Sequence, residues 1–255
     1  MRRFFDLLFV LTDRALKTRY RGSTLGIYWS LLNPLLMTVV YTGIFGYQFR
    51  AYYGNSLLLY AFVVFIGLSV VNFFAQSTIQ ALPSVVVNSA LVNKIRLPMV
   101  AFPAATVAAY GVQLAVGTLP ILAILTLVST HQPLRILLLP LPLVGLILLS
   151  AGVAFMVSTA YVFFRDIPHL YEVVTFLAWV TSAVFYPAAI VREDVRRLLY
   201  FNPLFPTIES LRQIVIEPQL PEPALIAASL FNGVVACAFG YLIFNGLKRQ
   251  FMDLI

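Results

Sequence analysis

Two ladders of side chains hold most of the groups that could meet a ligand. Thr175, Trp179, Ser182 and Tyr186 share one charge-free run. On a continuous helix, at 100° per residue, they fall within an arc of roughly 60°. Trp29, Asn33, Met37, Tyr41 and Phe45 form a second ladder with regular spacing, a looser stripe that winds by about 40° per step. Aromatic rings pack on the C–H faces of sugars, and hydroxyl or amide groups pair with their hydroxyls. Such a lining without charge suits a neutral polymer that slides without being trapped. Helix packing and interfacial aromatic belts are the competing uses, because Trp29 and Tyr186 lie near the ends of their runs.

Other chemistries are missing. A phosphate loop needs a Gly-Lys pair, and the chain has none. There is no H-E-x-x-H pattern and no Cys/His spacing for a metal. Cys237, the single cysteine, sits in an apolar run and reads as a small buried hydrophobe. His131 and His169 fall in turns. The centres of the apolar runs carry no Asp, Glu, His, Lys or Arg, so coupling to protons or ions has no group to work through. If this chain moves something uphill, the energy must enter from another protein.

The elements that position these groups follow from composition. Of 255 residues, 61% are hydrophobic and 11% charged, against about 25% charged in soluble domains. Six long runs carry no charge: 22–49, 51–93, 97–134, 136–164, 173–191 and 223–247. A helix needs roughly 20 apolar residues to cross the hydrocarbon core. The reading is an all-α polytopic membrane protein with six spans, near 27–48, 57–77, 102–128, 141–164, 170–190 and 224–246. A soluble enzyme, a disordered chain and a disulfide scaffold are excluded. The net charge of +7 marks membrane orientation rather than nucleic acid. With both termini cytoplasmic, the inner segments hold eleven of the seventeen basic residues.

Arg2 and Arg3 precede a short apolar stretch containing Asp6, with no small-residue cleavage site after it. Residues 1–21 read instead as a retained amphipathic helix in the membrane interface. A basic anchor for the first span is the alternative. On the same side of the membrane, 88–97 reads as a short amphipathic helix with Asn88 as N-cap, ended by Pro98. The long segment 191–223 contains two apolar-periodic pieces, 194–201 and 207–216, broken at Asn202-Pro203. They either lie in the outer interface or dip back into a protein-lined cavity. No repeat of 20–50 residues is visible.

Leu16-Lys17-Thr18-Arg19-Tyr20-Arg21-Gly22-Ser23-Thr24-Leu25-Gly26 leads into Tyr28-Trp29-Ser30-Leu31-Leu32-Asn33-Pro34-Leu35-Leu36. This resembles the opening signature of the membrane subunits of type-2 ATP-binding-cassette exporters, in the group for O-antigen, capsule and teichoic-acid polysaccharides. The segment from Asn88 to Pro98, the turn Phe164-Arg165-Asp166-Ile167, then Phe185-Tyr186-Pro187 and Asn202-Pro203-Leu204 resemble later parts of the family in the same order. One departure is Leu97, where many relatives carry an aromatic residue.

The resemblance implies a homodimer in the bacterial inner membrane with two cytoplasmic ATP-binding-cassette ATPase subunits. ATP and magnesium then belong to the partner, and the chain itself has no cofactor and no catalytic residue. The implied cargo is a lipid-linked glycan, in contact with membrane lipids. Asn88, Ser89, Asn93, Lys94 and Arg96 match the segment that couples to the ATPase. Arg14, Lys17, Arg19 and Arg21 are candidates to meet a lipid diphosphate at the inner entrance, or simply anionic lipid. Phe201, Asn202, Pro203 and Phe205 are outer-gate candidates. Efflux of a smaller lipophilic molecule and a non-transport membrane scaffold are the alternative functions.

Overall fold

Charge-free sequence becomes helix here because backbone groups in an apolar setting must pair within their own segment. The computed structural model describes residues 2–94, 97–194, 199 and 201–251. Among them, helix α1 spans Arg2–Tyr20, α2 Trp29–Phe49, α3 Leu57–Ala81, α4 Ser84–Val87 and α5 Ser89–Lys94. Then come α6 at Ala101–Thr130, α7 at Pro140–Phe163, α8 at Ile167–Val180, α9 at Phe205–Ile216 and α10 at Pro223–Phe251. Among the described residues, five helical stretches are long and apolar enough to cross a membrane: Gly26–Tyr53, Leu57–Ala81, Ala101–Thr130, Pro133–Phe163 and Pro223–Phe251.

The sixth expected span differs. Instead of running through 170–190, α8 stops at Val180 after 14 residues. At 1.5 Å per residue that is about 21 Å, short of the roughly 30 Å hydrocarbon core. Ala183 then takes a left-handed φ of 49°, and Pro187 cannot donate to a helical ladder. Thr181 Oγ1 donates to the Leu177 carbonyl and Ser182 Oγ to the Ala178 carbonyl. These local bonds compete with continuation of the helix.

At the centre, α3 is apolar nearly all round and buried accordingly, with Tyr60, Val64 and Ile66 at 0% exposure. Helix α6 changes to a π-turn over Leu114–Thr118, next to Pro120, whose missing N–H disturbs the ladder. Gly117 in that turn lets Leu31 of α2 approach closely. Helices α7 and α10 pack most intimately. Gly145 and Gly152 face Gly233 and Gly240, and a spacing of seven keeps each pair on one helix face. A Cβ on Gly152 would strike the Ala236 backbone, and one on Gly240 would strike the Gly152 carbonyl. Small residues give membrane helices this contact because no hydrophobic effect drives their association in lipid.

At the end of the bundle where α10 finishes, Val85, Phe155, Val162, Phe244 and Phe251 form a small core. At the opposite end, α9 is buried, with Ile208, Ile214 and Val215 at 0% exposure. The two alternatives for the 191–223 segment therefore resolve for its second piece. It packs inside, among α3, α6, α7 and α10. Most of the first piece, 194–201, lies outside the described residues.

Candidate functional site: an aromatic ring at a broken helix

The two ladders converge on a residue that belongs to neither. Phe185, in the break after α8, stacks on Tyr41 with centroids 5.5 Å apart and planes at 9°. It also lies 5.5 Å from Phe45, 5.6 Å from Trp179 and 5.3 Å from Tyr186. Tyr41 and Phe45 stack on each other, and Phe45 on Phe49. The helical arc did not include Phe185 because that arc assumed an unbroken helix. The Thr181-Ser182 pair ahead of Pro187 is the sequence signal that a break was due.

The break has freed carbonyls, and side chains from three elements take them up. Asn202 Nδ2 lies 3.0 Å from the Ala178 carbonyl and 2.9 Å from the hydroxyls of both Thr181 and Ser182. Its Oδ1 accepts from the Leu204 N–H at 2.9 Å. Arg212 Nη2 donates to the carbonyls of Ala183 and Val184 at 2.9 and 3.0 Å. Tyr60 Oη donates to the Phe185 carbonyl at 2.7 Å, and Tyr186 Oη to the Val180 carbonyl at 2.8 Å. Arg212 is 6% exposed, with Glu209 Oε2 3.6 Å from its Nη1. Gly67 leaves room for the strand of chain at Val184, which lies 3.0–3.2 Å from where a Cβ would sit. Arg212 reads in the sequence as one more loop charge. Its partners are backbone carbonyls, which leave no mark in the residue pattern.

Several expected site residues take other places. Thr175 is 8% exposed and donates to its own helix, to the Tyr171 and Glu172 carbonyls. Ser182 is fully buried and held by Asn202. Neither hydroxyl faces open space. Tyr186 lies beyond the helix end, so the arc of four does not form. Trp29 is half exposed, and with Asn33 it borders a separate polar cavity of about 200 Å³. The gate candidates also divide. Phe201 is 83% exposed and Pro203 is exposed. Asn202 is the clamp just described, and Phe205 packs with Ala183 and Leu199.

Asn88 is not the expected forward cap. Its Nδ2 donates back to the Ser84 carbonyl at 2.7 Å, closing α4. Ser89 opens α5, which is described as far as Lys94; Leu97, the expected last residue, is not helical, and residues 95–96 lie outside the described residues. Arg96 and the side chains of Asn93 and Lys94 lie outside the described residues. Of the four basic residues near the first span, Lys17 pairs with Asp13 at 2.7 Å. Arg19 donates to Tyr110 Oη and sits 4.4 Å from that ring's centroid. Arg14 is exposed along α1, and Arg21 is exposed in the turn that follows it.

Comparison with known proteins places this architecture. An O-antigen export system permease protein, RfbA, of Klebsiella pneumoniae is 29% identical over 253 residues, spanning 98% of this chain and 95% of its own length. A second protein of that name from the same species is 28% identical over the same shares. One from Myxococcus xanthus is 27% identical over 252 residues, 98% of this chain and 95% of its own. The family described as ABC-2 type transporter matches residues 6–216, from the first helix through the buried helix that clamps the break. This multi-pass chain belongs to the membrane component of the ABC-2 type transporter family.

Proposed function

We propose that the chain is the permease of an ATP-driven exporter, carrying a lipid-linked glycan of the O-antigen kind outward across the bacterial inner membrane. Two copies would enclose the path, with both termini cytoplasmic. Two separate ATP-binding-cassette subunits would bind ATP and magnesium and dock at the 88–97 segment. The N-terminal helix would lie in the inner interface, where Phe5 and Phe9, 62% and 75% exposed, would meet lipid.

The observation that carries the reading is the uncharged group formed by Tyr41, Phe45, Trp179 and Phe185. Rings of this kind offer flat faces to successive sugars without charge to hold any one of them. The relatives named for O-antigen export share nearly the full length of the chain, which favours glycan over a smaller lipophilic cargo.

The test is Trp179→Ala with Tyr186→Ala, expressed with the native ATPase in a strain lacking the wild-type gene. Surface glycan should fall several-fold, with lipid-linked glycan accumulating inside, while the ATPase complex still purifies intact. Unchanged surface glycan removes the lining role. Drug-stimulated hydrolysis without any response to glycan would favour the smaller cargo.

A further inference from the structure

Away from the aromatic ring, a groove of about 530 Å³ opens between α1, the turn after α3, and α6. The α1 wall is Leu11, Arg14, Ala15, Thr18 and Arg19, the i, i+3, i+4, i+7, i+8 pattern of a single helix face. The opposite wall is apolar along Val87, Ala105 and Ala109, and Val87 is left 74% exposed. At the inner end, Gln113 is 4% exposed and borders both this groove and the smaller polar cavity beside it. Among the described residues its Nε2 has no hydrogen-bond partner. A buried amide in that condition is costly unless something supplies an acceptor.

The charges are one-sided. Among the described residues, no carboxylate borders the groove, and neither Arg14 nor Arg19 belongs to an ion pair. Lys17, between them in sequence, is paired with Asp13 and lies off the groove face. Two guanidinium groups above an apolar wall, with an unused donor at the far end, complement a phosphate headgroup that carries an acyl chain. The aromatic groups at the groove offer little to a sugar. Arg19 covers the Tyr110 ring, and Phe102 is 3% exposed. None of the stacked residues of α2 or the α8 break borders it.

We propose that this groove is a site for an anionic membrane phospholipid, separate from the glycan path. The phosphate sits at Arg14 and Arg19, and an acyl chain lies along Val87, Ala105 and Ala109. Pro83, Ser84 and Asn88 form part of the same wall. A bound lipid therefore links the N-terminal helix to the turn that leads into α5.

The test is native mass spectrometry of the purified full-length chain, reloaded from micelles containing equal phosphatidylglycerol and phosphatidylcholine. Phosphatidylglycerol should be retained preferentially. Arg14→Gln with Arg19→Gln should cut its retention by about thirtyfold, in line with the attraction of anionic lipid for two basic residues. Lys17→Gln should retain it as the wild type does. Equal retention of both lipids, or equal loss in Lys17→Gln, would mean diffuse surface charge and overturn the site. A second arm needs no variant: polyprenyl diphosphate is titrated against the phosphatidylglycerol-loaded wild type. Phosphatidylglycerol should stay bound, and displacement at equimolar polyprenyl diphosphate would assign the groove to the cargo's carrier instead.

Discussion

Two helix pairs in this molecule are held by opposite means. Helices α7 and α10 are continuous and meet along Gly145, Gly152, Gly233 and Gly240, backbone against backbone. Helices α8 and α9 flank a break, and between them polar side chains hold carbonyls that a continuous helix would have satisfied itself. The first pair has no moving part in its contact, because any rotation about either axis would drive a Cβ into the facing backbone. The second is built from directional bonds that can be exchanged one at a time. A transporter needs both, a fixed seam and a segment whose pairing can change. The ring residues Trp179, Phe185 and Tyr186 sit on the second.

The largest effect should come from breaking the fixed seam. Gly152→Leu would place its Cβ where Ala236 and Cys237 backbone atoms already lie, with the rest of the side chain still to fit. Overpacking that no rotamer relieves belongs with the most destabilising substitutions, above about 4 kcal/mol. The expected result is loss of monodisperse protein in size-exclusion chromatography. Gly246→Ala on the same α10 should behave as wild type, since nothing lies within 4 Å of its Cβ position. If Gly152→Leu folds normally, the seam is not the rigid half of the comparison.

Next is the break. Arg212→Met keeps the apolar stem but removes the donor to Ala183 and Val184 and leaves Glu209 unpaired. Each buried carbonyl left without its charged donor costs about 1–3 kcal/mol, while the Glu209 side chain, 28% exposed, stays open to water. Thermal unfolding followed by tryptophan emission should shift down by several degrees, and surface glycan should fall with it. The contrast with Gly152→Leu is that this variant should still assemble, because Asn202 and Tyr60 continue to hold neighbouring atoms. Loss of assembly in both variants would mean that the two regions do not differ in kind.

This contrast also explains what could be read from residues alone. The long helices were legible because charge is expensive in a membrane, and the charge-free runs bracket α2, α3, α6, α7 and α10 closely. The glycine seam drew no reading from the sequence, because four glycines spaced by seven on two distant segments gain meaning only when α7 and α10 are seen to pair. The end of α8 was not legible, because the run 173–191 stays free of charge straight through the break. Hydropathy reports that a segment is buried, not whether its backbone bonds to itself. For the same reason Asn202 and Phe205 stood out as residues of an unusual loop, but their burial did not. Thr175 and Ser182 were placed on the lining because a hydroxyl on an apolar helix suggests a ligand. Their protons go instead to carbonyls one turn back, the commonest use of such a group.

The smallest change that still probes the break is Tyr60→Phe. It removes one oxygen from a side chain with 0% exposure, and its ring contacts with Phe49 and Tyr53 remain. The cost should be about 1 kcal/mol, the typical worth of one hydrogen bond, and far below that of Arg212→Met. The affected atom is the carbonyl of Phe185, the residue on which Tyr41 and Phe45 stack and which Trp179 meets at a tilt. A modest loss of stability should therefore come with a disproportionate change at the ring. Near-ultraviolet circular dichroism, which reads aromatic packing, should change while the helical signal does not. If the aromatic signal stays as in wild type, the ring is fixed by stacking alone, and Tyr60 contributes only to the stability of the break.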